Sequence, residues 1–187
     1  MINMEIIKKD LQLIMSKDRY EHSLLVADEA KKLAEHYNLN QEEAYLTGLI
    51  HDIAKEFNAE ENERIVLQYK LPKELLDEEN KKIIHAEVGA LYVKEKYNFN
   101  SAISNAIKYH TIGNKDMTDF DKIIFIADKI GRKATNETIE KIKEVAYENL
   151  DKAMLLCIKA TEEKLASKGK MLHPDTVKLL NKLQKNL

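Results

Sequence analysis

The chain has 187 residues, 44% hydrophobic and 33% charged, with 5 glycines and 2 prolines. That length suits one sizeable domain and is short for two, and the composition belongs to a folded globular protein rather than a disordered one. The formal net charge of −2 excludes a global attraction to nucleic acid or anionic membrane, so an anionic ligand needs a local cluster of cations.

Helical spacing runs through nearly the whole sequence and no alternating strand pattern interrupts it, which predicts an all-α helical bundle. Ile6, Leu13 and Ile14 mark the apolar face of a first helix. A second begins after Asp18 and carries His22, Val26, Ala30, Leu33 and Tyr37 on one stripe. A third starts near Gln41, holds Ala44, Leu46, Leu49 and Ile50, and ends at His51-Asp52-Ile53-Ala54. Asn58 caps a short helix reaching Tyr69, and Pro72 opens another.

The next helix covers about residues 80–96, with Ile84, Val88, Leu91 and Val93 facing the core. Asn100 or Ser101 caps the following one, in which Ile103, Ala106, Ile107 and His110 share a face. Beyond a loop at 111–117, Thr118 and Asp121 have capping-box spacing before Ile123-Ile124-Phe125-Ile126. Two helices fill about 137–166, and a last one follows His173-Pro174-Asp175. With no repeat or linker, one domain is expected over 1–187, its metal-site core at about 18–132 and C-terminal helices at about 136–187.

The single cysteine, Cys157, excludes an intramolecular disulfide and lies in the apolar run Met154-Leu155-Leu156-Cys157-Ile158, which reads as a buried structural thiol. No apolar stretch approaches the ~20 residues that span a bilayer, and the opening MINMEIIKKDL lacks the apolar core of a signal peptide. A cytoplasmic protein with no membrane partner is the expectation. No basic stripe or recognition motif points to nucleic acid.

Six histidines occur, and four fall at the apolar edge of a helix. A lone histidine on an apolar stripe is ordinarily a hydrogen-bonded core residue; the company these keep changes the reading. His51-Asp52 ends a helix whose last residues are small or apolar. Asp128 lies in Ile123-Ile124-Phe125-Ile126-Ala127-Asp128-Lys129-Ile130, a segment apolar enough to be buried, where a carboxylate needs a cation, several donors or a metal. His22 occupies a core-facing stripe, and His85 stands among core candidates. His110 leads into Thr111-Ile112-Gly113-Asn114, a polar turn able to offer backbone N–H groups to a phosphate. His36 reads as a surface residue and His173 as a capping or substrate-contacting one.

Four histidines and two aspartates suit one or two divalent cations, and the lack of thiolates argues against a structural zinc site. A pair of iron or manganese ions bridged by a carboxylate and a hydroxide is chemically well matched. Arg19, Lys55 and Arg132 each fall within four residues of a proposed ligand, and together they read as a phosphate cradle.

The order His22, His51-Asp52, Asp128 resembles that of the HD-domain superfamily of metal-dependent phosphohydrolases. The segments RYEHSLLVADEAKKLAEHY from Arg19, AYLTGLIHDIAKEF from Ala44 and HAEVGALYVKEKYN from His85 are similar to the bacterial YqeK family, symmetrical hydrolases of diadenosine tetraphosphate. So are AIKYHTIGNKDMTDFDKIIFIADKI from Ala106 and LHPDTVKLLN from Leu172, so the resemblance spans nearly the whole chain. It implies an HD fold with a di-iron centre ligated by His22, His51, Asp52, His85, His110 and Asp128. Asp52 would bridge the ions, and the hydroxide between them would attack the polyphosphate centrally to give two ADP, with His51, Asp52 and Lys55 as catalytic residues.

The resemblance also sets the nucleotide against Arg19, His22, Lys55, His110, Thr111, Gly113, Arg132, His173 and Asp175. It assigns no residues to the second half of the dinucleotide. After the aspartate the family continues with an acidic residue, a proline and an arginine; here the chain reads Ile130-Gly131-Arg132-Lys133-Ala134, and Arg132 is the candidate stand-in. Another nucleotide or an alarmone as substrate, a nucleotide sensor without turnover, and assembly as a homodimer stay open at this stage.

Overall fold

The structure, a computed structural model, describes residues 4–186. Side-chain caps set where most of its helices begin. Ser16 accepts from Arg19 N at the start of α2 (Lys17–His36), following α1 (Met4–Ile14). Asn40 caps α3 (Gln41–Ile50), and Asn58 closes a capping box with Glu61 on α4 (Ala59–Gln68). Two short 3-10 turns, Lys73–Leu76 and Glu78–Asn80, lead to α5 (Ile84–Tyr97). Asn100 caps α6 (Ser101–Tyr109), and Thr118 with Asp121 boxes α7 (Asp119–Ile130). Asn136 and Asn149 cap α8 (Glu137–Ala146) and α9 (Leu150–Ala166), and α10 (Pro174–Asn186) ends the chain. Among the described residues there is no strand, as the periodicity predicts, and no helix is long and apolar enough to cross a membrane.

Three local expectations change. On α1 the buried residues are Ile7 and Leu11, while Ile6 and Leu13 are 55% and 87% exposed. The helix is seated by an i, i+4 pair that continues through buried Met15, one position out of register with the expected face. Helix α2 starts before Asp18 because Ser16 is its cap, itself held by Glu56, whose two carboxylate oxygens accept from Ser16 N and Oγ. Helix α5 starts at Ile84 instead of Asn80, since Asn80 Nδ2 donates to Glu74 O at 2.7 Å and closes the preceding turn. His85 is therefore held in the first turn of a helix.

The core is split by α2. Val26, Ala30 and Leu33 join a cluster with Ile123, Ile126, Met154 and Leu179, which draws α8, α9 and α10 onto α7. Ala27, the next residue, joins a second cluster with Leu49, Ile53, Val88 and Ile107. The Val26-Ala27 backbone is pressed from both sides by glycine. A Cβ on Gly48 would stand 2.8 Å from Ala27 Cα, and one on Gly131 2.8 Å from Val26 Cα. No side chain could yield there, because the opposing atoms are backbone.

Replacing either glycine by alanine therefore forces the helices apart. Gly48→Ala and Gly131→Ala should each lose about 1–3 kcal/mol of stability, read as a lower denaturation midpoint. An unchanged midpoint in both would contradict the close approach.

Candidate metal centre

His51 continues the helical path just past α3, with φ −54° and ψ −34°, and its side chain is fully buried. Its Nδ1 donates to Gly48 O at 2.6 Å, which directs the Nε2 lone pair away from the helix. That Nε2 is buried without a hydrogen-bond partner and stands 3.6 Å from both Asp52 Oδ2 and Asp128 Oδ1. His110 repeats the device at the end of α6: Nδ1 donates to Ile107 O at 2.6 Å. Its Nε2 lies 3.2 Å from His85 Nε2 and 3.4 Å from Asp52 Oδ1. An imidazole pinned through one nitrogen to its own helix offers the other as a fixed ligand.

Asp52 is the meeting point. It is 3% exposed; Oδ1 faces His85 Nε2 at 3.2 Å and Oδ2 accepts from Arg19 Nη1 at 2.7 Å. The turn after α3, with Lys55 N donating to Asp52 O, lets His51 and Asp52 serve one cavity although neighbouring helical side chains diverge. On the other flank His22 Nε2 stands 3.2 Å from Asp128 Oδ1. Two sets of ligand atoms result, His22-His51-Asp52 and Asp52-His85-His110, each within 4.8 Å and both containing Asp52. All six ligand candidates are thus brought together.

Burial alone would raise the Asp52 carboxyl, but His51, His110 and His85 hold it far below the usual range, and Asp128 is likewise held down by His22 and His51 against its burial. Both stay ionised. Burial pushes His85 down to about 4, so it is a neutral donor near neutrality. His51 is driven down by burial but more strongly up by Asp52 and Asp128, and ends above its ordinary value. Imidazole nitrogens converging on ionised oxygens, with the His51 Nε2 buried and unpartnered, fit divalent first-row cations.

The cavity over these ligands measures about 360 Å³ and is rimmed by Arg19, Lys55, Lys82, Lys129, Arg132 and Lys164. Arg19 and Lys55 point to the centre; Lys55 Nζ is 3.0 Å from His85 Nε2 and 3.9 Å from Asp52 Oδ1. Lys82, Lys129 and Lys164 escaped the sequence reading. Lys82 and Lys129 had the signal used for the others, proximity to a ligand, whereas Lys164 arrives from α9 with none. Arg132 turns back, its Nε and Nη2 donating to the carbonyls of Lys129 and Asp128 at the end of α7. Beyond it Lys133 pairs with Glu21, so the divergent loop is anchored to α2.

Thr111 Oγ1 lies 3.1 Å from His110 Nε2. Gly113 N donates to Tyr109 O at 2.8 Å, which commits that amide to the turn instead of to a phosphate. His173 and Asp175 do not line the metal cavity but a neighbouring one of about 310 Å³. Thr176 Oγ1 donates to Ile112 O at 2.6 Å and ties their segment to the His110 turn. His36 is on the surface against Tyr37 and Tyr147, and the Cys157 thiol is buried and pushed up to about 12, an inert core group.

The family model for the HD domain matches residues 19–133, which contain every ligand described above. The chain belongs to the HD domain family. A crystal structure of a "predicted HD superfamily hydrolase involved in NAD metabolism" from Clostridium acetobutylicum is similar to this HD domain protein with a TM-score of 0.91 and 31% identity, covering 100% of both chains. It is also similar to "Bis(5'-nucleosyl)-tetraphosphatase, symmetrical" of Staphylococcus aureus, 35% identical over 96% of this chain and 94% of the relative. The Bacillus subtilis protein of the same description is 32% identical over 87% of each. HD domain hydrolases bind divalent metals, and the His/Asp cluster could hold them here.

Because cation-free His51 sits above its usual pKa, a divalent cation must expel a proton to bind it. Affinity should weaken as pH falls through that raised value, and calorimetry below it, in buffers of different ionisation enthalpy, should register proton release. Uptake with no proton released would count against His51 as a ligand.

Proposed function

We propose that this chain hydrolyses diadenosine tetraphosphate symmetrically to two ADP at a centre of two divalent cations, iron or manganese. His22, His51, Asp52, His85, His110 and Asp128 would hold them. The observation that carries this is the sharing of Asp52 by two abutting ligand sets under a rim of cations. The names of the Staphylococcus aureus and Bacillus subtilis relatives support the choice of substrate.

When bound, such a pair clamps phosphoryl oxygens and makes a water acidic enough to attack phosphorus. The chain's own groups do the rest. Arg19 orients Asp52 by its 2.7 Å bond to Oδ2. Lys55, lowered by burial against the pull of Asp52 and Asp128, projects a single charge onto the reacting phosphates. Lys82, Lys129 and Lys164 neutralise the remaining chain of phosphates, an anion that the net charge of −2 would otherwise repel.

The C-terminal helices belong to the same functional unit, because Lys164 of α9 rims the cavity and Thr176 of α10 holds the His110 turn. A nucleotide substrate and a single buried cysteine suit a cytoplasmic enzyme.

Protein loaded with iron or manganese should release ADP as the main product on anion-exchange chromatography. Release of ATP with AMP would overturn the symmetry, and absence of turnover with every divalent metal would overturn the hydrolase. Asp52→Ala should cut turnover by about a thousandfold or more. It should also lower bound metal in elemental analysis while the helical circular dichroism stays as it was.

A further inference from the structure

The metal cavity is lined almost wholly by charged side chains, a surface for phosphates and not for a base. The resemblance sets one nucleotide against His22, Lys55, His110 to Gly113, Arg132 and the His173-Asp175 segment, which leaves the other half of the substrate without a place. Beside Lys55 and His85 lies a further cavity of about 480 Å³, to which both residues contribute a wall. A substrate entering it would pass directly from the phosphate-binding cations into a different chemistry.

Away from the metal, Phe57, Leu75, Leu76 and Ile84 form an apolar wall, and Glu63 and Glu78, the latter paired with Lys81, complete the lining. Phe57 is held edge-on by Tyr92, ring centroids 5.0 Å apart, so it presents a stationary aromatic surface. Leu76 is 38% exposed at the mouth, a large apolar group with room against it. Asn62 adds the polar element. Its Nδ2 donates to the carbonyls of Phe57 and Asn58 at 3.3 and 3.0 Å, while its Oδ1 is buried with no hydrogen-bond partner. An amide acceptor without a partner in the lining of the cleft suits an exocyclic amino group, as on adenine.

We propose that this cleft is the subsite for the distal nucleoside of the substrate, with the base on Phe57 and Leu76 and its amino group on Asn62. The proposal rests on the tetraphosphatase reading. Lys55 at one end, and an aromatic face beside unpaired polar acceptors at the other, match the order phosphate, nucleoside along one half of a dinucleoside polyphosphate. The volume lies within the range of small-ligand sites.

The test uses the full metal-loaded chain and two variants, Leu76→Glu on the surface of the cleft and Asn62→Leu within it. Calorimetry with ADP should give two sites per chain in the parent and one in each variant. Turnover is compared between diadenosine tetraphosphate and adenosine 5'-tetraphosphate, which has the same phosphates and only one nucleoside. The ratio of their kcat/KM values should fall about tenfold in the variants, the scale of one lost base-stacking contact. An unchanged ratio, or one ADP site in the parent, overturns the subsite. A parent that binds two ADP yet splits neither tetraphosphate overturns the hydrolase reading and leaves the cleft standing.

Discussion

The His22, His51 and Asp128 side of the candidate metal centre depends on how closely three stretches of backbone approach at Val26-Ala27. Gly48 meets this dipeptide from one side and Gly131 from the other, each with no space for a Cβ. The ligands sit at fixed helical offsets from this crossing. His22 is one turn before Val26, His51 lies three residues after Gly48, and Asp128 three before Gly131. Imidazole and carboxylate side chains are short, so they meet within 3.2–3.6 Å only because the helices bearing them nearly touch. The glycines act on the centre from a distance, by setting the separation of its supports.

The second ligand set is held by a different force. His85 and His110 come from helices packed together in the other half of the core through Val88 and Ile107, and both face the buried charge of Asp52. An ionised carboxylate at 3% exposure is costly unless surrounded by donors, and Arg19 with three imidazoles is that surround. The same surround makes a cation site: two of its histidines are fixed through Nδ1 to carbonyls of their own helices, leaving Nε2 to face the carboxylates. Asp52 organises the fold locally and is common to both candidate ligand sets.

Side chains that act within a few residues of themselves were legible in the sequence. The cap at Asn58 and the capping box at Thr118 form where the local spacing puts them. What escaped depends on partners far along the chain. The register of α1 is decided by the pocket that receives Ile7 and Leu11, and nothing in MEIIKKDLQLI alone prefers that face over the one holding Ile6 and Leu13. Lys164 reaches the rim only because α9 packs on α7 through Met154 and Ile158. Gly113 had the composition of a phosphate-binding turn, yet its amide is spent on Tyr109 O, a competition that composition cannot reveal.

That long-range packing explains why the chain continues past the HD domain match, which ends at residue 133. The ligands alone would form a compact anionic nest, since Asp52 and Asp128 are both held ionised. Such a nest attracts cations and repels polyphosphate. The helices that follow bring Lys164 to the rim and tie the His110 turn to α10 through Thr176. With Lys55, Lys82 and Lys129 they turn the mouth of an anionic pocket positive, a reversal of sign over a short depth that suits cations inside and anions at the entrance. A chain of net charge −2 reaches that arrangement by distribution of its charges, not by their sum.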